Sequence, residues 1–520
     1  MSEVIAKLSE KGFLVSPGLS GLKHQEIEPF LQFIGVKFPQ NKPLVLSKEI
    51  YEEFLLLRQL PQQPQVVPET SGVVSLSETD SSDVEKEDIS EPQVIVEPKI
   101  EKREQIETKV KLKKNYEHTN QKISINEWVT YYLDRYNKLR DMLANREELR
   151  DTISIGRALK GTGHQRVSLI GMIKDIHKTF SNTYIIELED PTGIVKVSLK
   201  NQEVARKAEE LVHDEVIGVT GTISKDFVYA ENIVFPEIPE KPIKKAEDEV
   251  YSVFISDIHT GSNMFLPKEF EQCIDWISGR IGNDKQRELA KKIRYLFIVG
   301  DLVDGVGVYP SQENELMIHD IYAQYQECAK YLAKIPEDIH IIAIPGNHDA
   351  LRLAEPQPVL FPDIAAPLYK LPNMIMASNP SVVNIHNVGK FPGFDVLLYH
   401  GYSLDYYATN VPSLRKYGYE RADLLQEFLL RKRHLAPTHG STLVNPGLQD
   451  FLVIDKLPDI FATGHIHYSK VGRYKNILNL CCGCFQDKTV FQEKVGHNPQ
   501  PGRVPVVNLM TNQVKIMRFR

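Results

Sequence analysis

The feature that most constrains this chain is an arrangement repeated in its second half. An apolar run breaks off directly into a small polar cluster, five times between Asp257 and His467. VFISDIHTG delivers Asp257 and His259, LFIVGDLVDG delivers Asp301 and Asp304, and IIAIPGNHDA delivers Asn347, His348 and Asp349. VLLYHG ends on His400, and IFATGHIHY carries His465 and His467. Runs this apolar suit strands buried on both faces, and the stretches between them have room for helices, so residues 245–520 predict an α/β domain. Polar groups that terminate such strands collect along one edge of the sheet, where ligands bind. A single Asp-x-His or a lone His at a strand end is more often a structural residue. Five clusters in series, each with glycine or asparagine for a tight turn, point to one shared site.

The residue types say what that site could hold. Carboxylates, imidazoles and an amide oxygen without a thiolate suit manganese, iron or zinc. Two cations roughly 3.5–4 Å apart can share one carboxylate and a bridging hydroxide. Asp301 is the natural bridge, because a carboxylate has two oxygens and the motif's glycine leaves room beside it. Such a pair of metals makes a nucleophile from water and neutralises charge on a phosphate in the transition state, which is the chemistry of phosphoester hydrolysis.

The rest of the chain divides by pattern. Residues 1–57 carry apolar spacing in VIAKL, IEPFLQFI and IYEEFLLL and predict a small helical domain. Residues 58–118 have no aromatic side chain between Phe54 and Tyr116. An acidic stretch, ETDSSDVEKED, is followed by a basic one, KVKLKK, and the segment reads as a disordered linker. Residues 119–160 form a helical connector, with Trp128, Tyr132, Tyr136, Leu139 and Leu143 recurring on one packing face. In residues 161–240 the period changes to two, with five strand-like runs and a helical pattern, QEVARKAEELV, between the third and fourth. That order predicts an OB-fold β-barrel. Its few aromatics, mainly Phe180, Tyr184, Phe227 and Tyr229, favour a structural adaptor over a single-strand binding face.

Composition excludes several classes. With 42% hydrophobic and 25% charged residues the chain can build large cores, and at a formal charge of −7 it is no generally basic nucleic-acid coat. No apolar run approaches the ~18–20 residues needed to cross a bilayer, so no membrane partner is expected. MSEVIAKLSEK lacks a secretory pattern, and a protein that stays inside the cell is expected. Five cysteines cannot staple a chain of 520 residues, and the trio Cys481, Cys482 and Cys484 in ILNLCCGCF reads as small residues of a buried strand.

The five motifs, in this order, resemble the calcineurin-like metallophosphoesterase superfamily. The resemblance implies a two-sheet α/β/β/α sandwich holding two divalent metal ions. By motif match, Asp257, His259, Asp301 and His467 would hold one metal, and Asp301, Asn347, His400 and His465 the other. His348 matches the family's histidine that assists the leaving oxygen without binding metal, so His348 and Asp301 are the catalytic candidates.

GDLVDGVGVYP, RKRHLAP and PDIFATGHIH, over about residues 165–520, are also similar to stretches of the small-subunit family of archaeal family D DNA polymerases. That resemblance implies a proofreading 3′–5′ exonuclease in the cytoplasm of an archaeal cell, associated with the nucleoid. Its implied partners are a large polymerase subunit, a DNA 3′ end (single-stranded or mismatched) and a sliding clamp. It also favours reading Arg431, Lys432, Arg433 and His434 as a DNA phosphate contact over a solvated helix end whose cations offset the dipole. A scaffold with weak catalysis, or an esterase for small phosphorylated molecules, stands as the alternative.

Overall fold

The computed structural model describes residues 106–520 except 119–122, 162, 182, 496 and 497. Ahead of them it describes only Leu14–Val15, Phe30, Val45–Leu46 and Val84–Asp88. The chain separates into two units, 1–79 and 80–520. In the first, Leu14–Val15 pairs in parallel with Val45–Leu46, and Phe30 is helical. The rest of the helical domain expected at 1–57 lies outside the described residues.

The second unit starts with two short strands, β1 (Val84–Asp88) and β2 (Val110–Lys114). Helix α1 (Ile125–Ala144) follows, and its start is set by a capping box. The Ser124 side chain accepts from Asn126 N–H, and Glu127 accepts from Ser124 N–H at 2.8 Å. Tyr136, Leu139 and Leu143 of α1 pack on Ile170, Met172 and Val216 of the neighbouring barrel. Tyr132 packs against the same cluster, as expected, and with Trp128 and Tyr136 it also lines a cavity of about 920 Å³.

That barrel is closed and five-stranded, built from β3 (Gln165–Lys178), β4 (Tyr184–Asp190), β5 (Gly193–Leu199), β6 (Val216–Ser224) and β7 (Phe227–Val234) in the order β3-β4-β5-β7-β6. Inward residues such as Leu169, Ile186, Leu188, Val195 and Val197 fill it, as period-two alternation requires. The helix Gln202–Ala208 lies between the third and fourth strands. Phe227 and Tyr229, two apart on β7, lie with ring centroids 6.0 Å apart, and Phe180 is fully exposed.

The remaining strands are β8 (Tyr251–Ile255), β9 (Ile293–Val299), β10 (His340–Ile344), β11 (Met374–Met376), β12 (Ser381–Ile385) and β13 (Phe394–Tyr399). They continue with β14 (Ile460–Thr463), β15 (Lys470–Tyr474), β16 (Ile477–Cys481), β17 (Arg503–Asn508) and β18 (Val514–Arg518). They form a seven-stranded sheet, β11-β10-β9-β8-β17-β18-β1, and a six-stranded one, β15-β16-β14-β13-β12-β2. Phe254, Phe297 and Val507 of the first sheet meet Val383, Leu398 and Leu480 of the second in one core. Helices cover the outer faces, Trp276 and Tyr325 on one side and Tyr407 and Phe428 on the other. β8 and β9 are buried at every position, which is why their sequences are continuously apolar.

Two stretches of the disordered linker expected at 58–118 are strands instead. β1 pairs in parallel with β18, and β2 pairs antiparallel with β12, each closing one edge of the sandwich. In β2, Val110 and Leu112 turn toward the inter-sheet core while Lys111 and Lys113 face outward. A stretch too polar to fold alone is held here by an open sheet edge, which supplies the backbone partners it lacks. Residues 58–83 and 89–105 of that linker lie outside the described residues.

Candidate metal centre

All five polar clusters sit on the turns that leave the carboxyl ends of β8, β9, β10, β13 and β14. These turns are tight. Asp257, His259, Asp301, His465 and His467 all adopt positive φ, between 51° and 69°, a conformation that strains non-glycine residues and is tolerated where surrounding structure enforces it. Two glycines make the convergence possible by lacking a side chain. A Cβ on Gly300 would overlap the His400 ring, and one on Gly346 would overlap the Asp301 carboxylate. The room beside Asp301 is therefore provided by Gly346, and the glycine that precedes Asp301 makes space for His400 instead.

The side chains meet in two groups. In the first, His259 Nε2 lies 3.1 Å from His467 Nε2, and His467 Nε2 lies 3.3 Å from Asp257 Oδ1. In the second, His400 Nε2 lies 2.9 Å from Asn347 Oδ1 and 3.2 Å from Asp301 Oδ2, with a His465 nitrogen in the same cluster. Asp301 Oδ2 is also 3.8 Å from His259 Nε2, so one carboxylate oxygen faces both groups. Ligands about 2.0–2.2 Å from one ion sit roughly 3–3.5 Å from each other, and most of these separations fall in or near that range.

Orientation comes from a surrounding shell. His400 Nδ1–H donates to the Val299 carbonyl at 2.9 Å, which leaves Nε2 as the nitrogen presented to Asp301. His259 Nδ1–H donates to Asp304 at 3.0 Å, and Asp304 in turn accepts from the amides of Gln312 and Gln486, each at 2.9 Å. Gln492 lies 2.9 Å from Nδ1 of His467, and Asp405 lies 3.0 Å from Nε2 of His465. Asp349 accepts from Gly346 N–H and from the Tyr325 hydroxyl, which ties the Asn347 turn to the sheet. Asp304 and Asp349 stand inside the motifs, where their positions could have assigned them this role. Gln486 and Gln492 lie outside every motif, and nothing in the sequence marks them.

The electrostatics call for positive charge. Asp257 and Asp301 are buried, which pushes them toward the neutral acid; charge on His467 and His400 outweighs this and holds both below the usual carboxylate range. Burial would likewise lower His400, but Asp301 overrides it and raises the imidazole to about 10. Burial, reinforced by Asp301, pushes Asp349 up to about 7. Two carboxylates enclosed among imidazoles at these separations fit divalent cations, which would supply the same charge and displace the imidazole protons.

His348 belongs to neither group but clusters with His259 and Asp304 beside the first. Its backbone N–H donates to Asp301 Oδ1 at 2.8 Å, and its Nδ1–H donates to the Asp304 carbonyl at 2.8 Å. Its ring meets that of His259 edge-on at 4.7 Å between centroids. Asp257, His259, Asp301 and His400 are at most 1% exposed, whereas Asn347, His348 and His465 are half-buried and form the open side.

Of the residues expected to contact phosphate, Arg431, Lys432, Arg433 and His434, the structure buries the last three and leaves Arg431 half-buried. Lys432 is buried against Glu215 of the barrel at 2.6 Å, and Arg431 pairs with Glu210 at 2.8 Å. Arg433 donates to the carbonyls of Ile454 and Asp455. His434 Nε2–H donates to Asp450 at 2.8 Å, and Asp450 also accepts from Arg135 of α1 at 2.7 Å. The segment joins barrel, connector and sandwich, and its charges are spent inside the protein.

Fold and site define a calcineurin-like phosphoesterase joined to an OB-fold barrel. Residues 252–469 match the calcineurin-like phosphoesterase family and residues 167–238 the OB-fold nucleic acid binding domain family, and the former suggests divalent metals. The chain belongs to the family of archaeal DNA polymerase II small subunits. It is 42% identical over 398 residues to that subunit of Methanothermobacter thermautotrophicus, covering 76% of this chain and 80% of the relative. For Archaeoglobus fulgidus the identity is 40% over 386 residues, with 74% and 75% covered. For Methanocaldococcus jannaschii it is 38% over 391 residues, with 74% and 64% covered. Among the described residues, no helix is long and apolar enough to cross a membrane.

Proposed function

We propose that this chain is the proofreading 3′–5′ exonuclease of an archaeal replicative DNA polymerase, hydrolysing the terminal phosphodiester with two divalent cations. The observation that carries the reading is Asp301, whose Oδ2 faces His259 in one donor group and His400 in the other. Asp257, His259, Asp301 and His467 would hold one cation, and Asp301, Asn347, His400 and His465 the second. Bound there, the cations would make a nucleophile of water and neutralise charge on the phosphate. Manganese suits this oxygen and imidazole donor set, with iron or zinc as alternatives.

The chain's own residues do the rest. Asn347, His348 and His465 line the open side, so the phosphate enters past them. His348, fixed through Nδ1 by the Asp304 carbonyl, gives a proton to the departing 3′ oxygen of the penultimate nucleotide or stabilises the charge there. Asp304 keeps Nε2 of His259 turned into the site.

A bridging role in the polymerase is compatible with this reading. Ile125, Val129 and Leu133 form an exposed apolar stripe on α1 beside the 920 Å³ cavity, and a large polymerase subunit is the partner that such a surface suits. The protein would act in the cytoplasm, on chromosomal DNA.

The deciding experiment incubates the purified chain with manganese and a 5′-labelled primer, with and without a chelator. Stepwise shortening from the 3′ end, abolished by the chelator, is expected. A primer left intact by the chain both alone and with its large subunit would overturn the nuclease reading.

A further inference from the structure

A cavity of about 560 Å³ opens beside Asn347 and His348, within the size range of small-ligand sites. Its walls are Val306, Val308, Leu351, Leu353, Phe361 and Ile364, drawn from the turns after β9 and β10 and the segment beyond. Val306 and Leu353 are 51% and 41% exposed, unusual for aliphatic side chains beside a buried polar site. The charged groups that border the cavity are committed elsewhere. Asp349 accepts from Gly346 N–H and the Tyr325 hydroxyl. Arg352 donates to the carbonyls of Ala354 and Pro356 and stacks on Tyr116. The recess therefore offers an apolar lining with one aromatic ring rather than a grip for a phosphate.

We propose that this recess receives the base of the 3′-terminal nucleotide after it has left the duplex. This rests on the nuclease reading above and extends it to substrate choice. Asn347 and His348, two of the three half-buried residues on the open side of the metal centre, also line this recess, so a phosphate that enters past them carries its attached nucleoside toward these walls. Every nucleobase has an apolar face that stacks on aliphatic and aromatic side chains, so the recess accepts any base but only an unpaired one. A mismatched terminal base has little pairing to lose on entry, whereas a matched one must first be unpaired. Discrimination against correct termini then originates in the recess, apart from the chemistry at Asp301 and His348.

The test fills the recess without touching the proposed ligands. Val306→Trp and Leu353→Trp place bulk on two different turns at exposed positions, in the full-length chain. Removal of the terminal nucleotide is measured in manganese under single-turnover conditions from three primers on one template: mismatched, matched, and ending in an abasic nucleotide. Wild type should remove the mismatched nucleotide fastest. Each variant should slow that removal by about tenfold, the scale of one lost base-stacking contact, and remove the abasic nucleotide at the wild-type rate. If both variants keep the wild-type rate on the mismatched primer, or slow the abasic and mismatched primers equally, the recess is not a base site although the nuclease reading stands. If wild type removes no nucleotide from any primer, the nuclease reading itself fails, and the assignment of the recess with it.

Discussion

Two of the buried charge clusters among the described residues are built on opposite terms. At the junction of connector, barrel and sandwich, Asp450 is enclosed with Arg135 and His434, and Glu215 with Lys432. Each carboxylate there has a fixed cation from the chain itself. At the strand ends, Asp257 and Asp301 are as deeply buried, yet no Lys or Arg is paired with either among the described residues; their neighbours are imidazoles. A cluster that carries its own cations is complete and holds domains together. One whose carboxylates lack a permanent counter-charge has a place for an external cation.

The sharpest way to break this contrast is Asp301→Ala. Cleavage should be abolished while the thermal unfolding transition of the metal-free protein stays near wild type, because the residue ends a strand rather than filling the core. Near-wild-type nuclease rates in that variant would remove the two-metal assignment.

His348→Ala divides chemistry from metal holding within the same cluster. It should bind metal and DNA almost normally and cleave about 10²–10⁴-fold more slowly, the usual worth of a positioned proton donor. His400→Ala and His465→Ala should instead lose metal, as read by elemental analysis on the same preparations. Equal metal loss in all three variants would make His348 a ligand.

The junction should respond in stability rather than in metal content. Arg135→Met leaves Asp450 with a weaker set of partners and should cost about 3–5 kcal/mol in denaturant unfolding, as for other broken buried pairs. The same junction has a pH signature. Burial, helped by the nearby Arg135, lowers His434 from 6.5 to about 4, so the folded state holds it neutral. The stability it contributes is present above pH 6.5 and is lost as the pH falls toward 4, and His434→Gln should flatten that part of the profile. An unchanged profile would mean that another group titrates there.

The smallest expected effect is the most direct check on the inward-turned basic segment. A phosphate contact adds about 0.9 to the slope of log affinity against log salt, and Arg431, paired with Glu210, should add none. A DNA salt slope reduced by about one in Arg431→Ala would return that segment to the nucleic-acid interface.

Much of the site is legible in the sequence because its constraint is local. A tight turn leaving a buried strand joins an apolar run to polar side chains at set offsets, with glycine or asparagine close by, so the turns carrying Asp257, Asp301, Asn347, His400 and His465 show themselves in short words of sequence. The barrel is legible for a related reason: period two with a helix between its third and fourth strands is a local pattern. Contacts between distant segments leave no such trace. Gln486 reaches Asp304 across 182 positions and Asp450 reaches Arg135 across 315, and neither glutamine nor aspartate carries a mark of its partner.

The sequence alone thus determined which residue types stand at the strand ends and which segments alternate, because backbone conformation and burial periodicity act over a few residues. Tertiary structure alone decided what each charge faces. It buried Lys432, Arg433 and His434 and paired Arg431 with Glu210, where a basic run by itself looks like a surface for phosphate. It also drew Val84–Asp88 and Val110–Lys114 out of a polar linker onto two sheet edges, since an open edge supplies the backbone hydrogen-bond partners that a short extended segment lacks. The free energy of a charge or a strand depends on its partners, and partners are set by the fold.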